Sequence, residues 1–550
     1  MKKSLFLRLH VRCLAVLFFL CNLMIPGKDY AQEKNVTGIV RDSSGNPLPG
    51  VRVTVKNAKV GTITTAEGKF SIAVPDSKGV LIFNMIGSAT QELPVDGAGP
   101  LSVTLRSEAV GLQDVVVVGY GVQRKSDLTG AVTSLKAADI TKIGGSNAAE
   151  ALQGKAPGVQ ILNVGQPGNA PVVRIRGVGT NGDPNPLYVV DGMFVNDIQY
   201  LNSHDIASME ILKDASATAI YGSRGANGVI LVTTKKGRTG KPTFNLSGSE
   251  GFQFLTRRYQ VADASQYATL QNMMNGTNTY PDPASLGKGT NWLDESTQKG
   301  RVRDYQLSIA GGSDNVSYNV SGGYFKQEGV MKFTDYDRLT LRANNEYRLS
   351  KRLKIGHNLS MSNSNITGVG SSAGARVFNA MVRISPLIKV DDGNGNFNAG
   401  QDPDIINPYA ALYYGKDANN NSLRFVGNGW LNYELIPGLV FRSSYGIDYA
   451  YDRYHYFEPA YNISSPNQIH ANNSLTENHV NNKTWLWENT LSYDKQIGKD
   501  HHLNLLAGIT AQDGYYNKLE GVGQNLAFDY PDYQYLGAAP AGSVSVTSQA

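Results

Sequence analysis

Four short stretches place residues at spacings that could do chemistry. GVGTNG, Gly177 to Gly182, matches the glycine pattern of a dinucleotide-binding turn. That chemistry needs a helix opening directly after the glycines, whose amides hold the pyrophosphate. Here DPNPLYVVDG follows, with two prolines and a β-rich run, so the stretch reads as a turn. YGSRGANG, Tyr221 to Gly228, is glycine-rich but lacks the lysine and hydroxyl of a phosphate loop. HYFE, His455 to Glu458, has the spacing of two ligands in some zinc peptidases, yet it ends an aromatic strand and no third ligand or base is evident. DDGNGNFN from Asp391 offers carboxylate and amide oxygens at alternate positions, as calcium loops do, without the bidentate glutamate that closes such a loop. A solvated loop is expected there, with a calcium site at Asp392 left open. Cys13 and Cys21 are the chain's two cysteines and both lie in its first 31 residues, so no thiol nucleophile or disulfide is expected beyond them. No pair of carboxylates is singled out for glycoside cleavage. The chain reads as a non-enzyme that needs no cofactor and no metal.

The elements around these stretches explain more. Lys2, Lys3, Arg8 and Arg12 precede an apolar run from Leu14 to Leu20, too short to span a bilayer, which is the pattern of a secretory signal over 1–31. Removing those residues, with five basic groups and one acidic group, takes the formal charge from +5 to +1. No basic surface calls for nucleic acid. The remainder has no apolar run long enough for a membrane-spanning helix, which leaves a secreted or periplasmic protein, or an outer-membrane β-barrel.

Residues 36–106 alternate β-rich runs with the turns SSGNPLPG and AEGKF, which predicts a small antiparallel β-sandwich. From 126 to 237 the pattern is mixed. SNAAEALQGKAPGVQIL reads as a short helix opened by Ser146 or Asn147, VVRIRG, PLYVVDG, MEIL and GVILVTT as strands, and DASATAIYG as a helix capped by Asp214 and ended by Gly222. Beyond 237 the period is two. In DRLTLRANNEYRLS, Leu339, Leu341, Ala343, Tyr347 and Leu349 share one face, while Arg338, Thr340, Arg342, Asn344, Glu346 and Arg348 share the other. An apolar face backed by so charged a face fits lipid outside and water inside. TWLWENTLSY and HLNLLAGITA repeat the pattern.

Nine strands are predicted, near 243–254, 303–310, 316–326, 337–349, 353–363, 423–435, 439–453, 483–496 and 501–516. Tight links alternate with links of about ten residues or more, as short periplasmic turns alternate with long outer loops. Nine antiparallel strands cannot close on themselves, and VSVTSQA at the end does not look like a closing strand. The expected fold is therefore mainly β: a sandwich, an α/β unit and a transmembrane antiparallel β-barrel incomplete at its C-terminal end. A unit of about 110 residues inside a barrel needs a wide lumen, as in plugged transporters of about 22 strands. The aromatic stretches YDRYHYFEPAYN and INPYAALYYGKD could stack on sugar rings or hold peptide side chains, or belong to the girdles of the barrel.

In this order, the units resemble those of the SusC/RagA-like TonB-dependent outer-membrane transporters. VTGIVRDSSGNPLPGVRVTV looks like that family's carboxypeptidase-regulatory-like sandwich, and DVVVVGYGVQRKSDLTGAVTSL like its TonB-box region and plug entry. LYVVDGMFVNDIQYLNSHDIASMEILKDASATAIYGSRGANGVILVTTKKG is similar to its plug signature, the most specific match. The resemblance implies a TonB-box linker at 112–125, a plug at 126–237 and the first part of a barrel at 238–550. It assigns Asp114, Val115, Val116, Val117, Val118, Gly119 and Tyr120 to TonB binding, since an exposed strand can add to the sheet of a periplasmic partner. Arg174, Arg176, Asp191, Gly192, Tyr221 and Gly222 are expected to be structural plug residues, the two arginines pairing across the plug interior. The implied partners are TonB, a SusD-like surface lipoprotein, outer-membrane lipid and an oligosaccharide or peptide ligand. The alternative is an outer-membrane receptor that senses a ligand and signals through the periplasm. Family members of that kind carry an extra N-terminal signalling domain, whereas the leader here runs almost directly into the sandwich.

Overall fold

A computed structural model describes residues 34–42, 45–56, 58, 60–74, 79–85, 88, 90–95, 100–105, 115–118, 121–124, 132–142, 144–163, 165–400, 405–463, 469–498 and 501–550. The expected signal at 1–31 lies outside the described residues. The chain divides into two units, 1–114 and 115–550.

The first unit is a sandwich of two sheets. One has the order β4 (Lys69–Val74), β1 (Lys34–Asp42), β7 (Leu101–Leu105); the other has the order β3 (Gly61–Ile63), β2 (Arg52–Val55), β5 (Val80–Asn84), β6 (Gln91–Pro94). Alternate residues turn inward: Val53 and Val55, Phe70, Ile72 and Val74, Leu81 and Phe83 are all buried. Phe70 and Phe83 meet edge to face at 5.3 Å. Each such side chain contributes about 1.5–3 kcal/mol when fully buried. The sandwich is not wholly antiparallel as expected, because β7 runs parallel to β1. The chain leaves the second sheet after β6 and re-enters the first at β7, so no hairpin dictates that pairing.

The second unit begins with the valine run. Val115–Val118 (β8) pairs antiparallel with Gly121–Arg124 (β9) in a two-stranded hairpin. A mixed sheet follows, in the order β10 (Val132–Lys136), β15 (Ile206–Leu212), β16 (Val229–Thr234), β13 (Leu187–Val190), β14 (Met193–Val195), with β11 (Val159–Leu162) and β12 (Val172–Ile175) as a separate hairpin. β16, VILVTT, is buried along almost its whole length because it is central in a sheet covered on both faces. The first predicted helix is a 3-10 turn over Ala148–Leu152, and Asn147 rather than Ser146 caps it, accepting from Ala149 N. The second is a single α-turn, Ala215–Thr218, followed by a 3-10 segment kinked at Gly222.

The rest is one antiparallel sheet of ten strands: β17 (Gly240–Gln253), β18 (Gly300–Gly312), β19 (Val316–Glu328), β20 (Asp335–Arg348), β21 (Leu353–Thr367), β22 (Asn419–Ile436), β23 (Leu439–Glu458), β26 (Ser474–Ile497), β27 (His501–Gln524) and β28 (Val544–Gln549). A small hairpin of β24 (Tyr461–Asn462) and β25 (Ile469–His470) sits in the loop after β23. VSVTSQ is thus a tenth strand, paired with β27, where sequence reading expected none. Strands of 13 residues and more exceed the roughly 9–11 that cross a bilayer, except β28. Short and long links alternate as predicted, although the β19–β20 link, 329–334, is shorter than expected. The long links fold into helices that the sequence reading missed, Ala264–Asn275, Trp292–Ser296, Ser371–Arg383 and Pro408–Tyr414.

Burial confirms which face meets lipid. Leu339 and Leu341 on β20 are 51% and 54% exposed, while Arg338, Thr340, Arg342 and Asn344 are all buried. The sheet is inside out relative to a water-soluble one: its charged face packs on the plug. No helix among the described residues is long and apolar enough to cross a membrane, which says nothing about strands.

Candidate functional site

The site is the seam between the plug and the inner face of the strand wall. Its centre is a two-residue turn, Asp191-Gly192, joining β13 to β14. Both residues have positive φ, +48° and +92°, as a tight hairpin of this kind requires, and an Asp-Gly pair is suited to it. The turn carries the Asp191 carboxylate into the wall. Its Oδ1 accepts from Thr234 N at 3.0 Å, and its Oδ2 accepts from the Thr234 hydroxyl and from Arg342 Nη2, each at 2.6 Å. Both charged side chains are 6% exposed. Arg342 also reaches the hydroxyls of Ser360 and Thr234, and Asn344 donates to the Thr234 hydroxyl and to Lys235 O at 2.8 Å. The Thr234 hydroxyl gives one hydrogen bond and takes two, its full capacity. Asn428 of β22 donates to Asp191 O at 2.9 Å.

A second anchor lies at Gln199 to Asp205. Asn202 caps a short 3-10 turn, Ser203–Asp205, that aims Asp205 at β18 and β19. Its Oδ1 accepts from Gln306 Nε2 and from the Ser321 hydroxyl at 2.6 Å. His204 faces Asp304 at 3.3 Å, and Arg338 donates to Ser146 O and to Gln199 O. Burial pushes the Asp205 carboxyl above its ordinary value, against the pull of Ser321, Arg342, Gln306 and Lys235. The folded protein therefore holds this proton where the unfolded chain has lost it. Its contribution is fully present at low pH and falls as pH rises from the ordinary carboxyl value through the raised one. Asp205→Asn keeps the Oδ1 acceptor without the charge. It is expected to flatten that acid-side dependence and to raise the thermal midpoint at neutral pH, measured on detergent-solubilised protein; a lowered midpoint there rejects the assignment.

The third contact is Arg424 of β22. It grips Asp448 of β23 with two bonds, 2.9 and 2.7 Å, and reaches plug Asp197 at 2.8 Å, its guanidinium 4.7 Å from the Tyr200 ring centroid. Sequence reading had placed Arg338 and Arg342 on the lumen face but gave no role to them, to Arg424, or to Asp197 and Asp205. The period-two charge pattern was the available signal; the plug partners lie 108 to 227 residues away from Arg338, Arg342 and Arg424 in the chain.

The predicted residues fall in several places. Asp191 and Gly192 are central. Tyr221 is buried, edge to face with Phe194 at 6.1 Å, and Gly222 takes the kink with φ +60°. Arg174 and Arg176 do not pair across the interior. Arg174 bonds Asn185 at 2.7 Å and Arg176 pairs with Asp214 at 2.5 Å, both near the plug surface, where long cationic side chains keep their solvation. Asp114, Gly119 and Tyr120 lie outside the described residues, and Val115–Val118 form β8.

The remaining motifs are structural in this fold. His455 faces Glu477 at 3.0 Å, whereas Glu458 accepts from Tyr461 at 2.9 Å, so HYFE does not gather ligands. The Asp392 carboxylate accepts from the Asn396 side chain and from the amides of Asn394 and Asn396, which holds it below its ordinary range. Among the described residues no group of three His, Cys, Asp or Glu side chains could hold a metal. The two aromatic stretches meet: Tyr414 stacks on Tyr461 at 4.0 Å, and the His470 ring lies 5.6 Å from that of Tyr461. Tyr461 thereby joins two outer loops.

A plug sealed by buried ion pairs against an amphipathic strand wall defines the outer-membrane plugged-barrel class. Residues 124–229 match the TonB-dependent Receptor Plug Domain, and residues 36–117 match the CarboxypepD_reg-like domain. The chain thus carries the sandwich and plug of a TonB-dependent receptor and is similar over most of its length to receptors of the SusC/RagA-like kind. It is 38% identical over 505 residues to TonB-dependent receptor P3 of Formosa agariphila, covering 90% of this chain and 49% of that one. It is 34% identical over 473 residues to TonB-dependent receptor SusC of Bacteroides thetaiotaomicron, covering 79% of this chain and 46% of that one. The structure superposes on the RagAB peptide importer in its open-open state with a TM-score of 0.65 at 25% identity, over 79% of this chain and 53% of that one. The chain thus spans about half the length of the curated relatives it matches.

Proposed function

We propose that the protein imports a nutrient, an oligosaccharide or a peptide, across the outer membrane, driven by TonB and assisted by a SusD-like surface lipoprotein. One observation carries this reading: a folded plug closes the lumen face of the wall through buried, specific contacts, so passage requires work done on the plug. The segment that would receive that work stands directly upstream. Among the described residues β8 is hydrogen-bonded on one side, to β9, and strand addition by a periplasmic partner needs only backbone groups and a matching register. The superposed structure, titled a peptide importer, supports a peptide as one class of cargo.

The test is the intact mass of the protein and its companions, drawn from detergent-dissolved outer membrane of its own host. Co-purification of TonB and a lipoprotein is the expected result. A chain recovered without either, under conditions that retain other TonB-dependent complexes, overturns the reading.

A further inference from the structure

The seam is not uniform around the plug. Toward β17–β20 one cavity, about 410 Å³, lies beside Ser146 and Gln166 and reaches Gln253 and Gln327 near the long-loop ends of the wall, and nearer the short turns Asp205, His204, Arg338 and Arg342 tie plug to wall with polar contacts. Toward β21–β26 it holds two cavities. The outer one, about 380 Å³, lies beside Asn196 and Asp197 and reaches Ser364, Ser422 and Asn482 in the half of the wall nearer the long loops. The inner one, about 430 Å³, lies against β13 and β16 and reaches Asn432, Ser444 and Ser492 in the half nearer the short turns.

What separates them is one short strap, Met193 to Ile198. Its β14 portion is the edge strand of the plug sheet, joined to β13 by three residue pairs. Met193 packs so closely on the wall that a Cβ at Gly446 would stand 2.7 Å from its sulfur. The strap is pinned at both ends, by Asp191 on one side and by Gln199 to Asp205 on the other. Its own charged contact is of a different kind from those anchors. When Asp197 leaves Arg424, Asp448 still holds that guanidinium with two bonds. Arg342 has one carboxylate in contact among the described residues, Asp191, so the anchor cannot release without stranding a buried charge.

We propose that the transport route runs between the strap and β21–β26, opening when Met193–Ile198 swings aside while Asp191 and Gln199–Asp205 stay seated. This rests on the import reading above. The hydroxyl and amide groups lining both cavities fit a cargo rich in hydrogen-bonding groups.

Ser492 faces the inner cavity on the proposed side, five residues before the short-turn end of β26, and Ser308 is a half-buried residue on the lumen-facing side of β18, four residues before its short-turn end, on the fixed side. Residues 32–550 contain no cysteine, so labelling of Ser492→Cys and of Ser308→Cys can each be read against the unsubstituted protein in its own host. The probe is a polyethylene-glycol maleimide too large for general porins, added outside intact cells, and membrane fractionation first establishes that each variant reaches the outer membrane. Met273→Cys, at a position 75% exposed on an outer-loop helix, is the surface control. The expected result is labelling of Ser492→Cys that is at least tenfold lower in cells lacking TonB, with Ser308→Cys unlabelled in both. Labelling of Ser308→Cys overturns the route and leaves import standing. Equal labelling of Ser492→Cys with and without TonB overturns the strap as a driven gate. If neither site reacts while Met273→Cys does, the plug does not open and import falls together with the route.

Discussion

Val116→Pro together with Val118→Pro is expected to abolish capture of the periplasmic domain of TonB, while the protein still reaches the outer membrane in normal amount. Both positions lie in β8, where the backbone is extended and in register with β9. Val118 and Gly121 close a two-residue turn and so form a hydrogen-bonded pair, as do Val116 and Gln123 two residues on, which means that the two prolines remove the donors that hold β8 to β9. A hairpin of four residue pairs has too few backbone bonds to lose two and still present β8 as a strand. Val116→Ile with Val118→Ile keeps every donor and the β preference, and should retain capture. The measurement is co-precipitation of the TonB domain from solubilised membranes, with membrane fractionation alongside. Undiminished capture by the proline variant would remove this segment from the coupling mechanism.

Asp191→Ala should be the most damaging single change in the plug. Truncating one partner of a buried ion pair leaves the other charge in a dry site, at a cost of about 3–5 kcal/mol. That is a shift of roughly two to three and a half orders of magnitude in the ratio of seated to released plug. Arg342 would lose its one contacting carboxylate, and the Thr234 hydroxyl would lose its acceptor. Asp197→Ala should cost far less, since Arg424 keeps Asp448. Removing Arg342 as well should restore part of the loss in Asp191→Ala, because the stranded charge goes with it. Protease sensitivity of the plug in solubilised protein, followed across denaturant, reads all four proteins. Equal costs for Asp191→Ala and Asp197→Ala would show that the two ion pairs serve the same purpose, contrary to the asymmetry described here.

That asymmetry has a consequence for how a pull on the N-terminal side could be used. A plug held equally on all sides would have to leave the lumen as a body. One pinned at Asp191 and at Asp205, with a three-residue edge strand between them, can yield locally and close again on the same contacts.

Much of this protein could be read along the chain, and the reason is that a membrane wall imposes its pattern strand by strand. Lipid on one side and plug or water on the other force alternation within each run, so Leu339 and Leu341 declare themselves against Arg338 and Arg342 with no knowledge of any neighbour. The Asp191-Gly192 turn is equally local, because two consecutive positive φ angles restrict the residue types that can occupy it. The tenth strand, VSVTSQ, escaped because two valines among four polar residues carry little period of their own and its place depends on β27. The parallel pairing of β1 with β7 escaped because it joins strands that no hairpin connects.

Backbone period and turn chemistry were thus determined by the sequence itself. Only the tertiary structure decided which charge meets which: Arg342 and Asp191 lie 151 residues apart, Arg424 and Asp197 lie 227 apart, and nothing near any of them names its partner. Those choices depend on the register of the whole wall and on the seating of the plug. A shift of one residue in β20 would turn Arg342 to the lipid and leave Asp191 buried without its cation.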